Sequence, residues 1–283
     1  TMRVYVMDAF SDHIFGGNQA GVVLADRTLE PKVMQQVAAE LKHSETVFVH
    51  QEAEGIRLRY FTPAGEVDLC GHATVSAFAL LRKLGKIGDG AHKAHPPAGE
   101  LEIEVSGGTV WMDMAPPKTI GILPEESWAE LYGAYGLTLE DRPAELQPEI
   151  VSTGLADIMM PVKDHDTLMR AVQDEKTVTE ISKRFEVTGV HMFCPGENCV
   201  YCSNFAPLYD IPEECATGTS NGALTYYLYE RGLVRPEEEN LFLQGEHMSR
   251  PSRIYSRLTH KDGTVMVRVG GQAVMSLAGE MDL

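Results

Sequence analysis

Apolar and polar positions alternate from the start of the chain: Arg3-Val4-Tyr5-Val6-Met7-Asp8 has the period of a strand. A polar turn, Phe15-Gly16-Gly17-Asn18-Gln19, leads into a second strand from Ala20 to Leu24. Val33, Val37 and Leu41 then fall on one face of a helix over 30–42. Strands are predicted at Glu45–Val49 and Ile56–Phe61, and Leu101-Glu102-Ile103-Glu104-Val105 alternates strictly. The turn Ser106-Gly107-Gly108-Thr109 makes a hairpin of that strand with Val110–Met114. Farther on, the pattern predicts helices at 125–135, 165–172 and 176–185, and strands near 150–160, 188–194 and 199–205. A hairpin of 252–259 with 263–269 follows, and Gly270-Gly271-Gln272 separates it from a last strand at 273–278.

Two stretches read as copies of one device. Phe61-Thr62-Pro63 passes through an acidic turn to Leu69-Cys70-Gly71-His72-Ala73-Thr74 and an apolar helix ending at Leu84-Gly85. Phe205-Ala206-Pro207 passes through an acidic turn to Cys215-Ala216-Thr217-Gly218-Thr219 and a second apolar helix ending at Arg231-Gly232-Leu233. Such a repeat implies two half-domains, and 283 residues suit two units of about 140. Ala115-Pro116-Pro117-Lys118 is the linker candidate, because consecutive prolines fit neither a helix interior nor a central strand. The expected lobes are therefore 1–115 and 119–269, with 270–283 returning to the first.

Charge narrows the partners. A net charge of −17 argues against nucleic acid and anionic membranes. The longest uncharged apolar stretch, Leu69 to Leu81, is shorter than the about 20 residues a membrane helix needs. Five cysteines, with the chain running from Met2 straight into a strand rather than a signal peptide, suit a reducing cytoplasm.

The two helix starts carry the chemistry. Free backbone N–H groups there can bind an anion, and the helix dipole favours negative charge. Cys70 at such a position would have its thiol activated, and a histidine there, His72, is expected to be neutral, as a hydrogen-bonding or proton-shuttling group requires. An ordinary helix start with a buried cysteine is the alternative. In the second loop Glu214 either caps the helix or orients a substrate amine or hydroxyl, with the N–H groups of Gly218 and Thr219 holding a carboxylate. Glu45, at a helix-to-strand junction, reads from its spacing alone as a solvated acid. Cys194-x4-Cys199-x2-Cys202 imitates part of an iron–sulfur or zinc pattern, but no further ligand pair follows and structural thiols are favoured.

Taken jointly, Asp8-Ala9-Phe10, Gly17-Asn18-Gln19-Ala20-Gly21-Val22, Ser44-Glu45-Thr46, Phe61-Thr62-Pro63, Gly71-His72-Ala73-Thr74, Ala216-Thr217-Gly218-Thr219, Gln244-Gly245, Arg250-Pro251-Ser252 and Val269-Gly270-Gly271 resemble the PhzF family of phenazine biosynthesis-like isomerases. The resemblance spans nearly the whole chain. It implies the diaminopimelate epimerase-like α+β fold: two pseudo-symmetric lobes, each a curved mixed sheet or barrel wrapped round a central helix. It also implies a site in the interlobe cleft, no metal and no organic cofactor, and a small carboxylic acid as substrate. Glu45 would be the acid/base that moves a proton between carbons, with His72 assisting and Glu214 orienting the substrate. Asn18, Cys70, Gly71, Ala73, Thr217, Gly218 and Thr219 would line the substrate. A homodimer is compatible with the chain but written in none of its features. Glu214-Cys215 stands where the family usually has Asp-Pro. In the related two-cysteine epimerases a second thiol would fall at Thr217, whereas Cys215 lies two residues earlier; an epimerase using Cys70 and Cys215 and a non-catalytic carboxylate binder are the alternatives.

Overall fold

The computed structural model describes residues 2–283. The chain divides into two compact units: the residues up to Asp113 together with Gly270–Leu283, and Met114–Val269.

In the first unit β1 (Met2–Ala9) lies antiparallel to β2 (Asn18–Leu24) on one side and to β18 (Ala273–Met281) on the other. β2 is parallel to β3 (Thr46–Glu52), and α1 (Pro31–Leu41) makes the crossover that a parallel pair requires. β3 is antiparallel to β4 (Gly55–Phe61), which also carries the short β5 (Glu66–Val67). After α2 (Gly71–Lys83), β6 (Gly90–His95) returns parallel to β4, and β7 (Leu101–Ser106) and β8 (Thr109–Asp113) extend the sheet antiparallel.

The second unit runs through the same succession. β9 (Lys118–Ile122) flanks β10 (Glu149–Ser152), with α3 (Trp128–Gly133) between them in sequence. β10 is antiparallel to β11 (Ala156–Pro161), and β11 is parallel to β12 (Gly189–Pro195) after α4 (His165–Arg170) and α5 (Glu175–Arg184). β13 (Val200–Ala206) is antiparallel to β12 and to the short β14 (Ile211–Glu214). After α6 (Gly218–Glu230), β15 (Glu239–Gln244) returns parallel to β13, and β16 (Ser252–Lys261) pairs with β15. β17 (Thr264–Gly271) follows through Asp262 and Gly263, at φ 53° and 74°, a turn whose twist suits a hairpin. Pairing for pairing, β10–β16 repeats β1–β7, and the internal duplication is visible in the sheet register itself.

The paired helices end alike. The amide of Lys86 bonds the carbonyl of Leu81 at 2.9 Å around Gly85 (φ 69°), and that of Leu233 bonds Leu228 at 2.9 Å around Gly232 (φ 71°). Both are Schellman closures, in which glycine takes the left-handed conformation cheaply. Inside its own unit each helix is buried nearly all round: Ala73–Phe78, Leu80 and Leu81 in α2, and Ser220–Thr225, Tyr227 and Leu228 in α6. A helix with no solvent face belongs in a core, and the sheets supply one.

Five strands were not predicted from the sequence: the short β5 and β14, and β6, β9 and β15. The helix expected at 125–135 is a short helical turn at 125–127 followed by α3. Among the described residues no helix is long and apolar enough to cross a membrane.

Gly270 and Gly271 are packing requirements. A Cβ on Gly270 would stand 2.5 Å from the Trp111 ring, and one on Gly271 would stand 2.2 Å from Phe10. Gly271→Ala should therefore destabilise the protein by about 1–3 kcal/mol through overpacking. An unchanged thermal melt would show that Phe10 yields freely.

Candidate active site

α1 stops at Lys42 in the left-handed conformation (φ 62°), and three residues later Glu45 hands the chain to β3, its carbonyl accepting from Gly21 N at 3.1 Å. That junction and the start of α2 bring three expected residues together. His72 Nε2 lies 3.2 Å from Glu45 Oε2, and His72 Nδ1 lies 3.3 Å from Cys70 Sγ. Ser44 Oγ stands 3.5 Å from His72 Nε2. Glu45 and His72 are mostly shielded, with side chains 22% and 12% exposed. Glu45 Oε2 is buried and, despite its closeness to the imidazole, makes no hydrogen bond of good geometry.

The electrostatics make this an acid beside a base. Burial alone would raise the Glu45 carboxyl, but His72, Ser44 and Cys70 together hold it below the usual range. Burial would likewise lower the His72 imidazole, yet Cys70 and Glu45 outweigh it and keep the ring protonated well above its ordinary value. The expectation of a neutral histidine is corrected here. The helix dipole disfavours a charged ring at this terminus, but two partners in contact exceed it.

In the second unit Thr217 is the residue immediately before α6, the place Cys70 holds before α2. Neither side chain caps its own helix, so the first N–H groups are not consumed that way. Glu214 Oε1 accepts from the amide of Cys215 at 3.2 Å. Gly71 and Gly218 meet nothing closer than 3.8 Å and 3.7 Å where a Cβ would stand, and neither has a positive φ. Packing does not demand glycine at these two helix starts, whereas close approach of a ligand to the backbone would.

The second loop is held from behind by a buried polar chain that sequence reasoning missed. Ser220 Oγ donates to Asp157 in a very short bond. Asn204 Nδ2 donates to Ser220 Oγ at 3.0 Å and to His191 Nδ1 at 3.0 Å. His191 Nε2 then donates to Asn221 Oδ1 at 2.9 Å, and Asn221 Nδ2 donates to Gln244 Oε1 and to the Thr217 carbonyl, each at 2.9 Å. Gln244 Nε2 ends the chain on the Glu214 carbonyl at 2.8 Å and Thr217 Oγ1 at 3.0 Å. Ser252 Oγ fixes the Cys215 carbonyl at 2.6 Å. Because His191 Nδ1 must accept, the ring is neutral, and burial lowers its pKa to about 4. Of the residues behind the loop, Gln244 and Ser252 lay in motifs, Gln244-Gly245 and Arg250-Pro251-Ser252, whereas Asp157, His191 and Asn204 lay in none.

The remaining candidates fall on the same elements. Asn18 opens β2, buried, opposite Ala9. Ala73 is buried in the first turn of α2. Thr219 lies in the first turn of α6, its carbonyl accepting from Thr153 Oγ1 at 2.7 Å. Glu45 has no acidic counterpart, since the residue before β12 is Thr188. All five cysteines are free. Cys194, Cys199 and Cys202 do not form a group close enough to share a metal ion among the described residues. Among the described residues the metal-sized group of ligating side chains is Glu45, Cys70 and His72.

Known proteins agree with this architecture. The family profile described as phenazine biosynthesis-like protein matches residues 7–279. A protein named "Uncharacterized isomerase" from Deinococcus radiodurans is 34% identical over 276 residues, covering 93% of this chain and 89% of its own. Another of that description, YddE of Escherichia coli O157:H7, is 31% identical and covers 98% of this chain and 97% of its own. The crystal structure of a PhzF-family phenazine biosynthesis protein from Bacillus anthracis superposes with a TM-score of 0.89 at 27% identity, over 100% of this chain and 99% of that one. A hydroxyproline epimerase from Agrobacterium vitis shares the fold at a TM-score of 0.59 and 12% identity, over 98% and 91% of the two chains. The chain has the diaminopimelate epimerase-like fold, and it belongs to the phenazine biosynthesis-like PhzF family.

Proposed function

We propose that this protein is an isomerase that moves a proton between carbons of a small carboxylic acid, with Glu45 as the acid/base. The observation that carries the reading is the Glu45 carboxylate 3.2 Å from the His72 imidazole at the start of a helix, the carboxyl held below its usual range and the imidazole above its own. Relatives named as isomerases support the reaction class.

In this reading Glu45 removes a proton from a carbon activated by the substrate's carboxyl or an adjoining double bond. The electron pair moves into that conjugated system as enolate-like charge, and the helix-start amides stabilise it as it develops. Glu45, now protonated, returns the proton to a different carbon. Donor and acceptor balance, and no net proton is consumed. His72 keeps Glu45 ionised in the resting state and steadies its lone pair. Glu214 would orient a hydroxyl or amine of the substrate, while the amides of Gly218 and Thr219 hold its carboxylate. Asn18, Cys70, Gly71, Ala73 and Thr217 would complete the lining. No organic cofactor has a role in this chemistry, and free thiols suit a reducing cytoplasm.

Two features weigh against a two-thiol epimerase. The place equivalent to Cys70 belongs to Thr217, and the Cys215 thiol is pushed up to about 12 by burial and by Glu214, which makes it a poor base. The test is label uptake. The protein is incubated in D₂O with a panel of unsaturated, hydroxy and amino carboxylic acids, and deuterium is followed by mass spectrometry. Uptake at carbon in one class of acid is expected and names the substrate class. Binding without uptake across the panel would leave a carboxylate binder and sink the proposal.

A further inference from the structure

We propose that Glu45, Cys70 and His72 also form a three-ligand site for a zinc-class divalent ion, and that its occupation switches the acid/base pair off. The effect on turnover rests on the isomerase reading; the binding does not.

The geometry is nearly that of a zinc site before the ion arrives. One ligand atom from each residue lies within 4.8 Å of the others. Tetrahedral zinc with sulfur at about 2.3 Å and nitrogen or oxygen at about 2.0–2.2 Å separates its ligands by roughly 3.3–3.6 Å. His72 Nε2 is 3.2 Å from Glu45 Oε2 and 3.9 Å from Cys70 Sγ. Small side-chain rotations close the difference. Glu45 Oε2, buried and facing His72 without a well-aligned hydrogen bond, keeps its lone pairs free to meet an ion there.

Charge also closes. The ion displaces the Cys70 thiol proton and one imidazolium proton, both released to solvent. A thiolate, a carboxylate and a neutral imidazole then balance the dication. A helix start disfavours a bare cation, but it stabilises the thiolate directly before it, and the ion meets that thiolate. Three protein ligands with an open fourth position describe a zinc site exposed to solvent. One soft sulfur and one imidazole favour zinc or cobalt over magnesium or calcium, which need sets of oxygens. Bound, the ion occupies the Glu45 lone pair that the proton transfer needs.

Cobalt(II) is the probe, because a thiolate ligand gives it a charge-transfer band and tetrahedral coordination gives intense visible bands. Protein stripped with chelator is titrated with cobalt, and zinc is used to displace it. One equivalent with the thiolate band is expected. Cys70→Ser should lose the band and weaken binding by at least the about 10–100-fold that disturbing a ligand's own hydrogen-bond partner costs, while Cys199→Ser should keep both. Serine suits the residue before a helix, so Cys70→Ser should fold, and a thermal melt verifies it. Absence of stoichiometric binding, or a band that survives Cys70→Ser, overturns the site. Deuterium uptake should disappear with one equivalent of zinc and return with chelator; uptake that persists in the zinc-saturated protein overturns the switch. Wild type that binds cobalt yet labels no acid would refute the isomerase reading and leave the metal site standing.

Discussion

Replacing Glu45 with glutamine is expected to slow carbon–deuterium exchange by about 10²–10⁴-fold, the usual contribution of a positioned acid/base. Glutamine keeps the size of the side chain, so a thermal melt should show a folded protein that has lost only the 3.2 Å ion pair with His72. The substitution removes one of the partners that hold the His72 proton, so the imidazole should titrate at lower pH in the variant, a shift that NMR can follow. Glu45→Asp is the sharper comparison. It keeps the charge but withdraws the carboxylate by more than about 1 Å, a misplacement that can cost 10²-fold. Exchange that survives both changes would remove Glu45 from the chemistry, and loss of exchange in Cys70→Ser alone would hand the role to the thiol.

The second large effect lies in stability against pH, from two buried groups on one hydrogen-bonded chain. Burial raises Asp157 from 3.8 to about 6 and lowers His191 from 6.5 to about 4. Between about pH 4 and 6 the folded protein keeps the Asp157 proton that the unfolded chain has lost, so stability falls as pH rises. Across about pH 4 to 6.5 the unfolded chain holds the His191 proton that the folded protein lacks, so stability rises with pH. Each gap exceeds two pH units, on the order of 3 kcal/mol, and the two slopes nearly cancel. Unfolding midpoints of wild type should thus be insensitive to this network. His191→Gln should uncover the Asp157 slope and lose about 3 kcal/mol between pH 4 and 6, relative to wild type. Asp157→Asn should uncover the opposite slope and gain about as much between pH 4 and 6.5. Parallel pH profiles for wild type and both variants would refute these assignments. The constant cost of lost hydrogen bonds displaces a profile without tilting it.

The contrast between the two loops explains what could be read in the chain. α2 and α6 were legible because each is an unbroken apolar run behind a small-residue loop and ahead of a glycine stop. Cys70, His72 and Glu45 sit at ends of elements, where functional side chains gather and motifs are local. Asp157, His191, Asn204 and Gln244 are single polar residues within or at the end of strands, and only the pairing of β11 with β12 and of β12 with β13 aligns the first three. No spacing in the sequence encodes such register. β6 was unreadable for a related reason: within Gly90–His95 only Ala94 is fully buried, so the strand is held by its backbone pairing with β4 and β7 rather than by an apolar face. In β9 a glycine and a preceding Pro-Pro hid the strand.

The return of β18 to β1 has a consequence for synthesis. Met2 stands opposite Met281 and Val4 opposite Gly279, so β1 waits for a strand made much later. While the chain is on a ribosome, residues 114–269 are all available before the first unit receives its final strand. The later half is therefore expected to close first, and the earlier half to remain with an open sheet edge until β18 has been made, the interval in which such an edge is most prone to wrong pairing.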